Sequence, residues 1–223
     1  MKKRLLVALS ILALLILACS ISVGSPETIQ GSGVVASENR PVSGFNAIQL
    51  AGSAEVTVHF DQAETVVVEA DDNILPLVET VVRGGRLVIN IEPNTSIRTT
   101  NPIHVMVTMK SLEAASLPGS GSITIAGLDT RSVAFDLPGS GNITVDGRVD
   151  SMNVTLDGSG NLLCGELQAQ SARVDLSGSG NVTVFASESL DATIRGSGNV
   201  FYRGSPAKVN KSVPGSGNVL AEP

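Results

Sequence analysis

Aromatic residues are scarce in this sequence: they make up 3% of its 223 residues, and tryptophan is absent. Valine, isoleucine, threonine, serine and glycine fill the patterned stretches instead, a balance that favours strands and tight turns over helices. Hydrophobic residues still make up 42% of the chain, which is enough to bury a core. The composition therefore predicts an all-β protein with one sizeable domain.

Cysteine and histidine are also rare, with two of each. Cys164 has a possible partner only in Cys19, so we expect no disulfide framework if Cys19 is modified. The two histidines, His59 and His104, leave few places for a Ser/His catalytic pair or a multi-histidine metal site. We therefore expect no catalytic residues, no metal and no other cofactor.

Basic residues are outnumbered, with 15 lysines and arginines against 21 aspartates and glutamates. Three of them, at residues 2–4, precede an apolar run of 14 residues, which is shorter than the roughly 20 that span a bilayer. This pattern predicts an export signal over residues 1–18. Its removal leaves 12 basic and 21 acidic residues, a formal charge of −9, so we expect no nucleic-acid partner.

The apolar run ends in ILAC, residues 16–19, which resembles the lipobox of bacterial lipoproteins. That resemblance implies that the signal is cleaved before Cys19 and that a diacylated Cys19 anchors the chain in a membrane. The alternative is a plain secretory signal followed by an unmodified cysteine. The chain then stays rich in serine, glycine and polar residues, so residues 19–42 are predicted to form a lipidated, flexible tether.

A GSG turn motif recurs in six near-copies, such as LPGSGNITV at residues 137–145. The first glycines of the copies are Gly119, Gly139, Gly158, Gly178, Gly196 and Gly215. The copies are 18–20 residues apart, and a constant short period is typical of a solenoid in which each repeat forms one coil.

Within each copy, apolar residues alternate with polar ones, the period-2 pattern of a strand with one buried face. Aligned copies give apolar columns, which predict ladders of side chains along the interior, each buried side chain contributing roughly 1.5–3 kcal/mol. Cys164 falls in one column and is predicted to be an inert, buried thiol. The column just before the turns comprises Leu117, Leu137, Leu156, Leu176, Ile194 and Val213.

Two architectures suit such a repeat: a stack of parallel coils, or an antiparallel meander with a hairpin at every GSG. Each unit contains at least two strand-like stretches, with one corner at GSG and another at segments such as DGRVD, residues 146–150. One circuit per repeat therefore fits better. The predicted fold is a right-handed parallel β-solenoid with coils of about 18–20 residues, the hand following the usual crossover rule.

The GSG turns are predicted to be architectural. Glycine tolerates both the close approach of stacked backbones and a positive φ. The alternative, a phosphate-binding loop, needs a following helix N-terminus, and strands follow here. The residue after each GSG forms a column whose amides are expected to bond along the stack. This column comprises Asn142, Asn161, Asn181, Asn199 and Asn218, with Ser122 in the first copy.

The two ends of the repeat differ from its middle. FNAIQLAGSAEVTV, residues 45–58, fits the template with a decayed turn, so the solenoid domain is predicted to span residues 43–223. Between this segment and Gly119 we expect a flanking sheet and a short helix near residues 73–82. Near the C-terminus, Lys211 occupies an inward column, where a charge blocks edge-to-edge growth.

These features together resemble the putative auto-transporter adhesin family with a head GIN domain. The resemblance covers roughly residues 43–220 and rests on the opening F-x-x-I-x-L-x-G, the segment GGRLVINI, the serial GSGN turns and the closing NVFYRGSPAKV. It implies an exported, often lipid-anchored β-solenoid in bacteria, held at the cell membrane or outer membrane. It brings no catalytic residues to this chain.

The binding hypothesis places the contact surface on the outward polar positions. The asparagine column and Thr124, Thr144 and Thr183 form regular arrays that suit a surface glycan, peptidoglycan or another surface protein. A merely solvated β-face shows the same alternation, so that interpretation stays open. The sequence favours a non-catalytic cell-envelope lipoprotein for surface binding or adhesion, whose partner it does not identify.

Two other hypotheses are a scaffold or sensor for envelope stress and a polysaccharide-active enzyme. Enzymes on parallel β-helices use acidic metal ligands on neighbouring coils, and Asp136 and Asp175 share a column here. Thr155 lies between them, so the two carboxylates are about 10 Å apart and do not share one ion. The enzyme hypothesis is therefore the weakest of the three.

Overall fold

The computed structural model describes residues 28–222. The predicted signal peptide and Cys19 lie outside the described residues. Short strands precede the first GSG: β1 Thr28–Gln30, β2 Val35–Arg40, β3 Ala47–Leu50, β4 Glu55–Phe60, β5 Thr65–Asp71, β6 Val78–Arg83, β7 Arg86–Ile91, β8 Ser96–Arg98, β9 His104–Met109 and β10 Ala114–Ser116. The repeat follows: β11 Ser122–Leu137, β12 Asn142–Leu156, β13 Asn161–Leu176, β14 Val182–Phe185, β15 Ser189–Ile194, β16 Val200–Arg203, β17 Lys208–Ser212 and β18 Val219–Ala221.

The predicted parallel solenoid is confirmed. Each repeat pairs in parallel with the next, so that Leu137 lies opposite Leu156, and Leu156 opposite Leu176. All three side chains are buried, as are their counterparts in the other apolar columns. Side chains about 19 residues apart in the chain therefore become vertical neighbours in one continuous core.

Each coil crosses the molecule twice, which gives the solenoid two sides. The strands that follow the turns form the post-turn side, in the order β5, β9, β4, the first halves of β11, β12 and β13, then β14, β16 and β18. The strands that precede the turns form the pre-turn side, in the order β6, β7, β3, β10, the second halves of β11, β12 and β13, then β15 and β17. The strands β11, β12 and β13 run continuously from one side to the other around the second corner.

The second corner absorbs the variation in coil length. Between β11 and β12 the register is Ser122 to Asn142 before this corner and Leu128 to Gly147 after it, with a shift between Ile125 and Leu128. A shift also occurs at this corner between β12 and β13. The GSG corner keeps its register, so one-residue insertions are accommodated on the opposite edge as β-bulges.

The non-repeating region forms the N-terminal end of the stack. The coil of β7 and β9 lies outside the earlier coil of β3 and β4, pairing with it in parallel. The strands β5 and β6 then cover its edges in antiparallel fashion. The expected flanking sheet is present, but the predicted helix is not: a 3-10 turn, Leu75–Leu77, leads directly into the strand β6.

The tether prediction is wrong for residues 28–42. The strand β2 pairs antiparallel with the edge of β5 along six residues, and β1 pairs in parallel with β8 in a separate two-stranded sheet. These strands are largely exposed on their outer faces, which is why their polar composition resembles that of a linker. Backbone pairing holds this segment on the domain, together with partial packing of Ile29, Ala36 and Val42 against the core.

At the C-terminal end the apolar ladders stop. Val213, the last member of the column before the turns, is 40% exposed. Lys211 extends over the end of the core: its Nζ donates a hydrogen bond to the carbonyl oxygen of Val219 at 3.0 Å and lies 5.1 Å from the ring centroid of Tyr202. The charge therefore covers the end of the stack, where it opposes further coil-on-coil association.

Candidate functional site

The asparagine column forms a hydrogen-bonded ladder along the GSG corner. The Nδ2 atom of Asn161 donates to Oδ1 of Asn142 at 2.9 Å, and Asn199 donates in the same way to Asn181 at 3.2 Å. From Asn181 onward, the backbone N–H also donates to the preceding asparagine Oδ1, at 3.1 Å in each case. The amides are thus fixed in one orientation at the surface.

The GSG glycines are required for space rather than for a positive φ. The positive-φ glycines of the described chain do not include them, so the part of the prediction that invoked a left-handed conformation is wrong. A Cβ atom on Gly139 would overlap the carbonyl oxygen of Gly119, and the same overlap recurs between Gly158 and Gly139. The turns are stacked too closely for any side chain or ligand to enter between them.

Over the six GSG coils, two outward columns of the post-turn side carry no ionisable side chain, and we call this part of them the charge-free face; toward the N-terminus the first column continues into Glu55. The first contains the asparagine ladder. The second continues the threonine array with three apolar residues, of which Leu163 and Leu220 are each 46% exposed. The strand register places both columns side by side over six coils. The charge-free face comprises Ser122, Asn142, Asn161, Asn181, Asn199 and Asn218, with Thr124, Thr144, Leu163, Thr183, Phe201 and Leu220.

A groove borders this face along the second corner. It consists of three adjoining depressions of about 300, 290 and 260 Å³. Gly165 and Arg203 line both the first and the second depression, and Phe185 lines both the second and the third. Leu163 belongs to both the charge-free face and the groove. We call this elongated depression the corner groove.

An ion-pair network fixes the polar side chains of the corner groove. The Nη1 atom of Arg203 lies 2.6 Å from Oε1 of Glu166, and its Nε lies 3.2 Å from Oε2 of Glu222. The guanidinium lies beside Gly165, where a Cβ atom would be 3.1 Å from Nη1. The Arg203 guanidinium is therefore held beside Gly165 between two carboxylates, Glu222 from the next coil and Glu166 from two coils before it.

The remaining candidate residues are not brought together. Thr155 separates Asp136 from Asp175 in the strand register, as the sequence predicted. Cys164 is fully buried, and burial raises the pKa of its thiol. Among residues 28–222 no three His, Cys, Asp or Glu side chains cluster as metal ligands, and no helix there is long and apolar enough to cross a membrane.

A buried carboxylate at the N-terminal end was not found from the sequence. Asp71 is fully buried and accepts four hydrogen bonds: from the backbone of Gly33, Thr100 and Asn101, and from the Asn101 amide at 2.7 Å. Burial acts to raise the pKa of this carboxyl, but the hydrogen bonds from Asn101, Thr100 and Gly33 outweigh it and hold the pKa below its ordinary value. The network joins three loops, so its role is structural.

The corner groove was also missed, although a sequence signal for it exists. The outward threonine column is interrupted at Leu163. Two residues later, Gly165 stands where the previous copy has Asp146 in the sequence alignment, although the strand register pairs Asp146 with Glu166. The outward residues of a repeat are expected to stay polar. A coil that has a leucine and a glycine at outward positions therefore indicates a binding site on that part of the surface.

Comparisons with known proteins agree with the fold. A family model described as "Putative auto-transporter adhesin, head GIN domain" matches residues 44–206. A putative adhesin from Bacteroides fragilis has 22% identity and a TM-score of 0.74, covering 87% of this chain and 100% of its own. A putative lipid binding protein from Parabacteroides distasonis has 25% identity and a TM-score of 0.53, covering 88% and 100%. No curated protein matches the sequence.

Proposed function

Because the chain belongs to the family described as "Putative auto-transporter adhesin, head GIN domain", we propose that it is an exported, non-catalytic surface protein that binds its partner through the charge-free face. The observation that carries this proposal is the contrast between the two outward surfaces. Twelve outward side chains of the charge-free face include no charge, whereas the same coils carry Arg173, Asp175 and Asp191 on the pre-turn side.

The lack of charge on this face favours a role in binding. The chain has more acidic than basic residues, and the post-turn side itself carries Asp146 and Arg203 next to the charge-free face. A surface selected only for solubility would carry charges in the two charge-free columns as well. Depletion of charged residues is typical of the centre of a binding surface, because desolvating a charge costs more free energy than desolvating an amide or a hydroxyl. The fixed asparagine amides lose little side-chain entropy when a partner binds.

We further propose that a lipid on Cys19 holds the domain close to a membrane. Eight residues separate Cys19 from Thr28, where β1 begins. Even fully extended, this length spans at most about 30 Å. The anchor would leave from the end of the stack that carries β1 and β8, so the domain would stand near the membrane.

A cell-fraction binding assay tests the proposed contact surface. The chain from Ser20 to Pro223, which contains every described residue, is expected to bind a bacterial cell-surface fraction in a pull-down. Thr124→Glu places a charge on the charge-free face and is expected to weaken binding about tenfold, because the carboxylate must be desolvated. Ala134→Glu is the matched control, since both residues are exposed on β11 but Ala134 faces the pre-turn side. Equal loss of binding in both variants would argue against the assignment of the face.

Membrane fractionation tests the anchor. Cys19→Ala is expected to move the protein from the membrane fraction to the soluble fraction, because no acyl chain is attached. Incorporation of a radiolabelled fatty acid is expected in the wild type only. Unchanged fractionation of the variant would refute lipid anchoring and leave the proposed binding surface unaffected.

A further inference from the structure

The polar groups of the corner groove are suited to a particular kind of ligand. The contacts of Arg203 with Glu166 and Glu222 use two of its five N–H donors and one oxygen of each carboxylate. The remaining N–H groups can only donate hydrogen bonds, and the remaining carboxylate oxygens only accept them. A hydroxyl does both, so a ligand with neighbouring hydroxyls satisfies the two sets together.

The groove also offers apolar surface beside these groups. Leu163, exposed on its outer face, lines one depression, and the half-buried Phe185 lines the next two. Gly165 lies between them, where a Cβ atom would be 3.2 Å from the Thr183 methyl. Apolar walls with a few oriented polar groups are typical of small-molecule sites, and the C–H face of a sugar ring packs on such walls.

The charge of the groove disfavours anionic ligands. Its acidic side chains are Asp146, Glu166 and Glu222, and its basic ones are Arg203 and Arg148. Arg203 is already paired with two carboxylates, and the Arg148 Nη2 atom lies 2.9 Å from Asp129 Oδ2, which is outside the groove. An anionic polymer would therefore meet more like charge than opposite charge.

An extended peptide is a poorer match than a saccharide. Peptides that bind solenoids or sheets through their main chain need a free strand edge. Here β12 is paired on both sides and β14 pairs with β13 and β16. On β13 only the short corner stretch 165–168 lies outside the pairing with β14, β15 and the residues between them, so the groove offers a peptide no extended edge.

From these observations we infer that the corner groove binds a neutral oligosaccharide chain. Three adjoining depressions accommodate an elongated ligand, the Arg203 network bonds its hydroxyls, and Leu163 and Phe185 cover its apolar faces. This inference rests on the proposed function, because it names the chemical class that the surface binds and the place where the binding is strongest.

The ligand class is tested on the same cell-surface fraction. Periodate cleaves the vicinal diols of saccharides, so periodate treatment of the fraction is expected to abolish binding of the Ser20–Pro223 chain, whereas protease treatment is expected to leave it intact. Because the ligand is neutral, the dissociation constant is expected to change less than about twofold over a tenfold increase in salt. Binding that survives periodate, or that falls steeply with salt, would overturn the assignment to a neutral saccharide.

Two pairs of variants test the site. Leu163→Ser is expected to weaken binding about tenfold through lost apolar contact, and Glu166→Gln by a similar factor through lost charge-assisted hydrogen bonds. Met106→Ser is the control for the first, because Met106 on β9 is 47% exposed, against 46% for Leu163, but belongs to neither the groove nor the charge-free face. Glu113→Gln, an exposed glutamate near the other end of the stack, is the control for the second.

The outcomes separate this inference from the function on which it rests. Wild-type affinity in both groove variants would overturn the groove as the site while leaving surface binding in place. Periodate-resistant binding would overturn the saccharide and leave the surface function. No binding of the wild-type chain to any cell-surface fraction would remove the proposed function as well. All four variants change outward side chains, so unchanged circular dichroism spectra would confirm that the fold is intact.

Discussion

At the scale of single residues, the GSG motif repeats glycine because the stacked turns leave no room for a side chain. Each turn lies directly on the one before it, and the carbonyl oxygen of the lower turn occupies the position that a side chain would need. This explains why glycine appears in both flanking positions of the motif, while the serine between them points away from the stack.

A mid-stack glycine is expected to tolerate no side chain. Gly160→Ala would place its Cβ atom over the Gly141 carbonyl oxygen, so the backbone must move, and we expect a loss of about 3 kcal/mol in the free energy of unfolding. Chemical denaturation measures it. Gly52→Ala is the control: its Cβ atom would lie 3.6 Å from Ile91, an ordinary contact, and a change of less than about 1 kcal/mol is expected. Equal stability of the two variants would contradict the stacking argument.

Asp71 is the residue whose ionisation matters most for the N-terminal end. A Cβ atom on Gly31 would overlap its carboxylate, so the Gly31-Ser32-Gly33 segment is shaped around this group. Its folded-state pKa lies below the ordinary value of 3.8. A depressed carboxyl pKa contributes stability above the unfolded-state pKa, and this contribution is lost as the pH falls through the folded-state pKa.

The sign of this linkage gives a pH-dependent prediction. Asp71→Asn replaces one carboxylate oxygen, which accepts hydrogen bonds, with an amide NH₂ group, which donates them. This group would face N–H donors of Gly33, Thr100 and Asn101, so we expect a lower free energy of unfolding than wild type at pH 7. The difference is expected to shrink as the pH falls below 3.8, because the unfolded chain then binds a proton at Asp71 first and the folded chain binds one only as the pH falls through its lower pKa. Urea unfolding at pH 7 and at pH values below 3.8 measures it. Asp129→Asn, which changes an exposed carboxylate, is the control and is expected to change the stability at pH 7 by less than about 1 kcal/mol. A constant difference for Asp71→Asn would refute the linkage.

At the scale of elements, the strands β1 and β2 complete the N-terminal edge. The strand β2 covers β5, whose inward residues Val66, Val68 and Ala70 are fully buried. An uncovered β5 would expose a row of unpaired backbone groups next to this apolar core, which is the usual route to edge-to-edge association. The strand β2, in the segment that the sequence predicted to be a flexible tether, therefore protects the β5 edge of the sheet.

Truncation tests this protective role. A chain that begins at Ser43 lacks β1 and β2 and leaves the Asp71 carboxylate without Gly33, so we expect a lower melting temperature and concentration-dependent self-association. Thermal unfolding and size-exclusion chromatography over a range of concentrations measure both. A chain that begins at Thr28 is expected to melt as the Ser20–Pro223 chain does. A monomeric Ser43 chain with unchanged melting would show that β2 is dispensable.

At the scale of the whole molecule, stability comes from ladders that run through every coil. Because each coil contacts only its neighbours on either side, damage to one coil separates the stack into two parts. Leu156 lies in the middle of such a ladder, between Leu137 and Leu176, and is fully buried. A charge at this position cannot reach water without opening the stack.

Leu156→Asp is therefore expected to prevent cooperative folding at neutral pH. Burial of an unpaired carboxylate costs more than about 4 kcal/mol, a large part of the stability of a domain of this size. Thermal unfolding followed by circular dichroism measures the effect. Asn153→Asp, an outward change on the same strand beside Arg173, is the control and is expected to fold normally. An unchanged melting temperature for Leu156→Asp would be incompatible with the ladder.

The sequence predicted strands and buried side chains well only inside the repeat. Where copies recur, as from Leu117 to Val200, alternation predicted which side chains are buried, because equal spacing makes each residue's environment the same as that of its counterpart. Residues 28–42 and the segment 73–82 have no counterparts, and their strands are defined by pairing with distant edges. The corner groove was not predicted because it arises from residues on five coils, from Thr144 to Glu222.

The sequence by itself determined that this chain stacks coils, since a 19-residue period with alternating apolar residues can bury its core only against further copies. Only the tertiary structure decided the order of the N-terminal coils, where β7 and β9 lie outside β3 and β4 although they come later in the chain. It also decided that Leu163, Gly165 and Arg203 share a groove. The physical reasons differ. The N-terminal contacts join segments whose separation in sequence follows no period, whereas the groove joins positions two coils apart at which the repeat does not keep the same residue type.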